Sequence, residues 1–169
     1  MVKHIFLTGE KHIGKSTIIQ LLLAEKQVKV GGFLTIKTDA VFPGYSSLHL
    51  VRVGKNESPS EENLISRDLL GTDPLCAERF DALGCAAIAE SRNVDLFVMD
   101  ELGPRELEAK RFTARIMRVL DGDIPVIGVL QKADSPFLAQ IEDHPKVQII
   151  QITSENRELV LRQLLQSKI

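Results

Sequence analysis

Gly9-Glu10-Lys11-His12-Ile13-Gly14-Lys15-Ser16 satisfies the phosphate-binding pattern G-x-x-x-x-G-K-[ST], and its flanks constrain the fold more than any other stretch. Before it, His4-Ile5-Phe6-Leu7-Thr8 is a short apolar run of the kind that makes a buried strand. After it, Ser16 to Ala24 reads as a helix. A strand, a glycine-bounded loop and a helix build an anion site, because the unpaired N–H groups of loop and helix N-terminus converge on the phosphates. The candidate nucleotide-binding residues are therefore Gly9, Glu10, Lys11, His12, Ile13, Gly14, Lys15, Ser16 and Thr17. Lys15 adds a point charge toward the β- and γ-phosphates, and the Ser16 hydroxyl is placed to ligate Mg²⁺.

The rest of the chain alternates strands with helices. Asp95-Leu96-Phe97-Val98-Met99-Asp100 is strand-like and leads to a helix from about Leu107, with Ala109, Phe112, Ile116, Val119 and Leu120 on one face. Pro125 to Leu130 precedes a shorter helix around Pro136 to Glu142. Val147 to Ile152 precedes a last helix through Leu159, Leu161, Leu164 and Leu165. Phe80, Leu83, Ala87 and Ile88 mark a helix leading into the Asp95 strand. This rhythm predicts an α/β fold: a mostly parallel sheet with helices on both faces, as one domain over residues 1–169. Gln27 to Glu62 breaks it. Gly31–Ile36 and Leu48–Val53 are strand-like, joined by a Pro43-Gly44-Tyr45 turn, and predict an antiparallel hairpin inserted at the sheet edge. Ser58-Pro59-Ser60-Glu61 has the form of a helix start with proline at its first position.

Composition narrows the partners. The 169 residues carry a net charge of -2 and are 44% hydrophobic, which suits a globular domain and leaves no basic footprint for nucleic acid. No apolar run approaches the roughly 20 residues that span a bilayer, and no signal peptide is visible, so a cytoplasmic location is expected. Cys76 and Cys85 lack metal-type spacing and read as small hydrophobes. His4, His49 and His144 likewise show no ligand spacing.

A second constellation ends the Asp95 strand. Asp100 is the acid placed to help hold Mg²⁺, and Glu101 follows at the carboxyl edge of the sheet, where ligands bind in open α/β folds. A carboxylate there can orient and deprotonate a water attacking the γ-phosphate, which makes Glu101 and Lys15 the candidate catalytic residues, with Ser16 and Asp100 on the metal. The plainer readings are a helix-capping Asp100 and a solvated Glu101.

Val98-Met99-Asp100-Glu101-Leu102-Gly103-Pro104-Arg105-Glu106-Leu107 resembles the D-E-[IL]-G-x-x-E-L signature of the small phosphate-loop nucleoside triphosphatases, the thermophilic and cancer-related nucleoside triphosphatase type. Gly31-Gly32-Phe33 with Thr35, Arg52-Val53-Gly54-Lys55 and Thr153-Ser154-Glu155-Asn156-Arg157 agree with it in order and spacing. The resemblance implies a monomeric, Mg²⁺-dependent enzyme that hydrolyses ATP, GTP and other nucleoside triphosphates slowly, with little base preference. It also implies an additional-strand ATPase topology, with the two acid-bearing motifs on neighbouring strands. Lys11 and His12 depart from the family's proline and glycine; a positive φ at His12 would cost about 1 kcal/mol. The hairpin departs too, with Ile36-Lys37-Thr38 in place of E-V-R.

Competing readings remain open at this point. Asp100-Glu101-Leu102-Gly103 fits the D-x-x-G of a GTP-binding switch, although Gln131-Lys132-Ala133-Asp134 is a poor substitute for the guanine-reading N-K-x-D. A small-molecule or nucleotide kinase would need an acceptor pocket and an arginine-bearing lid. A non-enzymatic nucleotide-binding protein would keep the loop alone. Arg105 is a candidate arginine finger or a surface arginine. Asn156 and Arg157 are candidates for contact with the base, or for a helix cap with an exposed arginine.

Overall fold

The computed structural model describes residues 1, 3–42, 45–69 and 71–167; Pro43 and Gly44 of the expected turn lie outside them. The strands are β1 (His4–Thr8), β2 (Val30–Phe42), β3 (Tyr45–Arg52), β4 (Leu64–Ser66), β5 (Leu96–Leu102), β6 (Val126–Leu130) and β7 (Val147–Gln151). The helices are α1 (Lys15–Glu25), α2 (Cys76–Arg79), α3 (Cys85–Glu90), α4 (Lys110–Asp121), α5 (Pro136–Glu142) and α6 (Arg157–Gln166). All the strands join one sheet, in the order β4-β3-β2-β5-β6-β1-β7.

Pairing is parallel from β2 through β5, β6 and β1 to β7, and antiparallel between β2 and β3 and between β3 and β4. The phosphate-loop architecture is thus the one expected, with one difference in placement. The hairpin extends one end of the sheet, with β2 bonded to β5 on one side and to β3 on the other. Gly32 explains how β2 fits there, since its φ is +103° and a Cβ would stand 2.0 Å from the Val98 carbonyl oxygen. The loop strand β1 and the acid-bearing strand β5 are not the neighbours expected, because β6 pairs with both and separates them.

Helices cover both faces. Leu7, Val98, Ile127 and Val129 pack with Ile18, Ile19 and Leu22 of α1 and with Val160 and Leu164 of α6. Phe6, Phe33 and Met99 face Phe80, Phe112, Ile116 and Phe137 on the other side. Central strands bury both faces, so their runs are continuously apolar rather than alternating.

Element boundaries shift in physically instructive ways. Leu107 belongs to a 3₁₀ turn over Pro104–Glu108, and α4 begins at Lys110. Phe80–Gly84 is a π-helical turn between α2 and α3. In α6 the buried positions are Val160 and Leu164, whereas Leu159 is 58% exposed. Ser58–Glu61 opens only a 3₁₀ turn, Glu61–Asn63, capped as the Ser60 N–H donates to Asn63 Oδ1 at 2.9 Å. No helix among the described residues is long and apolar enough to cross a membrane.

Candidate active site

The loop runs from the carboxyl end of β1 into α1. Gly9 has φ +141°, and a Cβ there would lie 2.6 Å from the Ile152 carbonyl oxygen, so glycine is required where the loop passes the end of β7. His12 carries φ 62° without being glycine, so the condition under which a side chain is costly at this position is met. Lys11 and His12 are both exposed. Gly14 caps α1, whose first-turn N–H groups have no partner within the helix and face the loop.

Lys15 folds back over the loop. Its ammonium donates to the Gly9 carbonyl at 2.9 Å and to the Glu10 carbonyl at 2.6 Å. Burial pushes its pKa below the ordinary lysine value, against the opposing pull of Glu101, Glu10 and Asp100. Glu10 itself turns outward and pairs with Lys132 at 2.9 Å.

Ser16 meets the acid across an intervening strand. Helix α1 passes over β6, and this brings the Ser16 hydroxyl within 3.0 Å of Asp100 Oδ1, to which it donates. Two inter-strand spacings of about 4.8 Å separate the backbones of β1 and β5, and the overlying helix closes that gap. Burial raises the Asp100 carboxyl to about 6; the neighbouring charge of Glu101 adds to this, while the Ser16 hydrogen bond and Lys15 oppose it.

Glu101 follows Asp100 through a cis peptide bond. Its Oε1 accepts from Gln131 Nε2 at 2.5 Å and lies 3.1 Å from the Lys37 ammonium. Its N–H donates to Thr35 Oγ1 at 3.1 Å. A cavity of about 10 Å³, lined by Thr35, Lys37, Glu101, Arg105, Glu106 and Gln131 among others, adjoins this carboxylate and has room for one water molecule. Two larger grooves, about 430 and 400 Å³, are lined by Arg52 and Glu90 and lie at the amino edge of β2 and β5, away from the loop.

Lys37 and Gln131 were not singled out by spacing as partners of Glu101. Gln131 is the first residue after β6, the strand beside β5, and that position is the signal that could have found it. Its amide is spent on Glu101 and Lys132 on Glu10, so the stretch that fell short of a guanine-reading motif is engaged at the loop. Arg105 points away from the loop, with Nη1 donating to the Asp68 carbonyl at 3.2 Å. Asn156 closes the turn after β7: Oδ1 accepts from Thr153 N–H at 2.8 Å and Nδ2 donates to the Gln151 carbonyl at 2.8 Å. Arg157 stands exposed at the start of α6. Thr17 is exposed on the first turn of α1. Among the described residues no cluster of three or more His, Cys, Asp or Glu forms a metal cage.

A phosphate loop opening a helix, with a hydroxyl bonded to a strand-end carboxylate two strands away, defines a phosphate-loop α/β protein of the additional-strand kind. The chain belongs to the NTPase family, whose model matches residues 4–165. It is 33% identical over 142 residues to nucleoside-triphosphatase THEP1 of Methanosarcina acetivorans, covering 80% of each chain. To nucleoside-triphosphatase THEP1 of Thermofilum pendens it is 28% identical over 170 residues, covering 96% of this chain and 93% of the other. The crystal structure of THEP1 from Aquifex aeolicus superposes with a TM-score of 0.73 at 20% identity, over 97% of this chain and 99% of that one.

Proposed function

We propose that the protein hydrolyses nucleoside 5'-triphosphates, ATP and GTP among them, to the diphosphate and phosphate, with Mg²⁺ as cofactor, slow turnover and broad base tolerance. The observation that carries this reading is the Ser16–Asp100 hydrogen bond of 3.0 Å with Glu101 next in the chain. A hydroxyl and one carboxylate are the hard oxygen donors that Mg²⁺ takes from a protein when phosphates and water complete its shell, so the residues fit the ion. When bound, Mg²⁺ neutralises charge on the β- and γ-phosphates.

Each residue has a task that follows from its place. Loop N–H groups from Gly9 to Thr17 receive phosphate oxygens. Lys15 exchanges its two carbonyl acceptors for phosphate, a change from neutral to charge-assisted hydrogen bonds. Glu101 takes the proton of the attacking water. Asn156 fixes the turn that presents Arg157 on the side of the loop where the base would lie.

Slow turnover is supported by Arg105, which is tied to the Asp68 carbonyl rather than aimed at the loop. An arginine finger contributes about 10³ to 10⁵ in rate. Broad specificity is supported by Gln131 and Lys132, whose side chains are committed to Glu101 and Glu10. A phosphate-release panel over ATP, GTP, CTP and UTP tests the proposal. All four are expected to be hydrolysed, within about a hundredfold of one another, with release abolished by chelating Mg²⁺. A site that hydrogen-bonds one base discriminates by about 10⁴ or more. Such a preference, or no release at all, would contradict this reading.

A further inference from the structure

Glu101 is gripped by a lysine to which none of the roles above gives a task. Lys37 comes from β2 and Gln131 from the end of β6, the two strands flanking β5. Both reach the same carboxylate oxygen, Oε1, at 3.1 and 2.5 Å. Thr35, two residues before Lys37 and so on the same face of β2, accepts the Glu101 N–H at 3.1 Å. One side chain is therefore held from both sides and from its own backbone. Among the described residues no donor reaches Oε2.

Fold stability does not explain the lysine. Its side chain is 45% exposed and that of Glu101 23% exposed, and ion pairs so open to water contribute little. Holding a long side chain in one geometry costs rotamer entropy besides. What the pair does achieve is orientation. A carboxylate pinned by one oxygen has its other oxygen fixed in space, and a proton acceptor works only when it is held close to its productive geometry.

We infer that Lys37 is a positioning residue for triphosphate hydrolysis: with Gln131 it holds Oε1 of Glu101, and this leaves Oε2 as the oxygen that meets the attacking water. The inference rests on the proposed role of Glu101 as the base. In the step, the water oxygen bonds to the γ-phosphorus and the bond from that phosphorus to the β,γ-bridging oxygen breaks. Its electron pair leaves with the diphosphate, and the water proton passes to Oε2. Lys37 neither gains nor loses a proton and touches no phosphate.

Lys37→Met keeps the aliphatic stem and removes the donor; Lys37→Arg keeps a cation with donors. The measurements are kcat with Mg-ATP, affinity for a non-hydrolysable Mg-ATP analogue, and both again in a Glu101→Gln background. Lys37→Met is expected to bind the analogue like wild type and to lose about tenfold to a hundredfold in kcat, the cost of a misplaced catalytic group. Lys37→Arg should recover most of that loss. In the Glu101→Gln background Lys37→Met should cost nothing further, because there is no base left to position. A thermal melt close to that of wild type shows that the half-exposed substitution leaves the fold intact.

Wild-type kcat in Lys37→Met would overturn the inference. So would an equal fractional loss in both backgrounds, or a loss of affinity at unchanged kcat, which would place the lysine on the phosphates. Full turnover in Glu101→Gln alone would instead overturn the base assignment, and the inference with it.

Discussion

Lys15 hydrogen-bonds two carbonyls of its own loop, and in the proposed function it exchanges these acceptors for phosphate. Lys15→Ala is expected to fold normally and to lose about tenfold to a hundredfold in Mg-ATP affinity, the range for hydrogen bonds to a charged group. Calorimetric titration of a non-hydrolysable analogue checks this, and unchanged affinity would mean that the loop is not the nucleotide site. Glu106 makes a different prediction. It is fully buried, accepts the Gly103 N–H at 3.1 Å, and burial raises its carboxyl to about 8. The unfolded chain ionises this group near 4.5, so between there and about 8 the folded state holds the extra proton and stability falls as pH rises. Glu106→Gln should remove that part of the slope, so that melting curves of mutant and wild type diverge in the mutant's favour toward the alkaline end of the window. Parallel curves would show that the carboxyl is not neutral in the fold. The places of Lys15, Ser16 and Asp100 were legible in the sequence because they follow from spacing within short motifs. The partners of Glu101 were not, since Lys37 lies 64 and Gln131 30 residues away and no local pattern links them.

Among the elements, α4 shows how much a helical period discloses. Phe112, Ile116 and Leu120 fall on its buried face, as their spacing of four predicts. Phe112 sits between Phe33 and Phe80, with ring centroids 5.2 and 5.6 Å away. Phe112→Ala is expected to destabilise the protein by about 3–5 kcal/mol, read as a lowered denaturant midpoint, because three rings share one contact. A loss below about 1 kcal/mol would mean that the α4 face is not core. Where period failed, packing had overruled it. The π turn at Phe80–Gly84 adds a residue to one helical turn, which no composition signal announces. In α6 four leucines marked the helix but no face, and packing buries Val160 and Leu164 while Leu159 stays exposed. The hairpin strands were found, but the pairing of β2 with β5 depends on Gly32 lying against Val98, a contact between residues distant in sequence.

For the molecule as a whole, the sheet order makes the site. Alternation of strands and helices foretold parallel pairing and two covered faces, since each run must bury its apolar side. Alternation does not say which strand lies beside which, and neighbouring motif strands proved to be separated by β6. That separation puts the phosphate loop at one strand end and Asp100 and Glu101 two strands away, with α1 carrying Ser16 across. The central claim is that this edge hydrolyses the triphosphate with Glu101 as base, and one paired measurement tests it most directly: analogue binding and single-turnover phosphate release in Glu101→Gln. The substitution keeps size and an acceptor oxygen while removing the basic carboxylate. Binding is predicted to stay near wild type while release slows by about 10²-fold or more, the scale of a lost general base. Release at the wild-type rate with intact binding would contradict the account, and the acidic pair would then serve the metal alone.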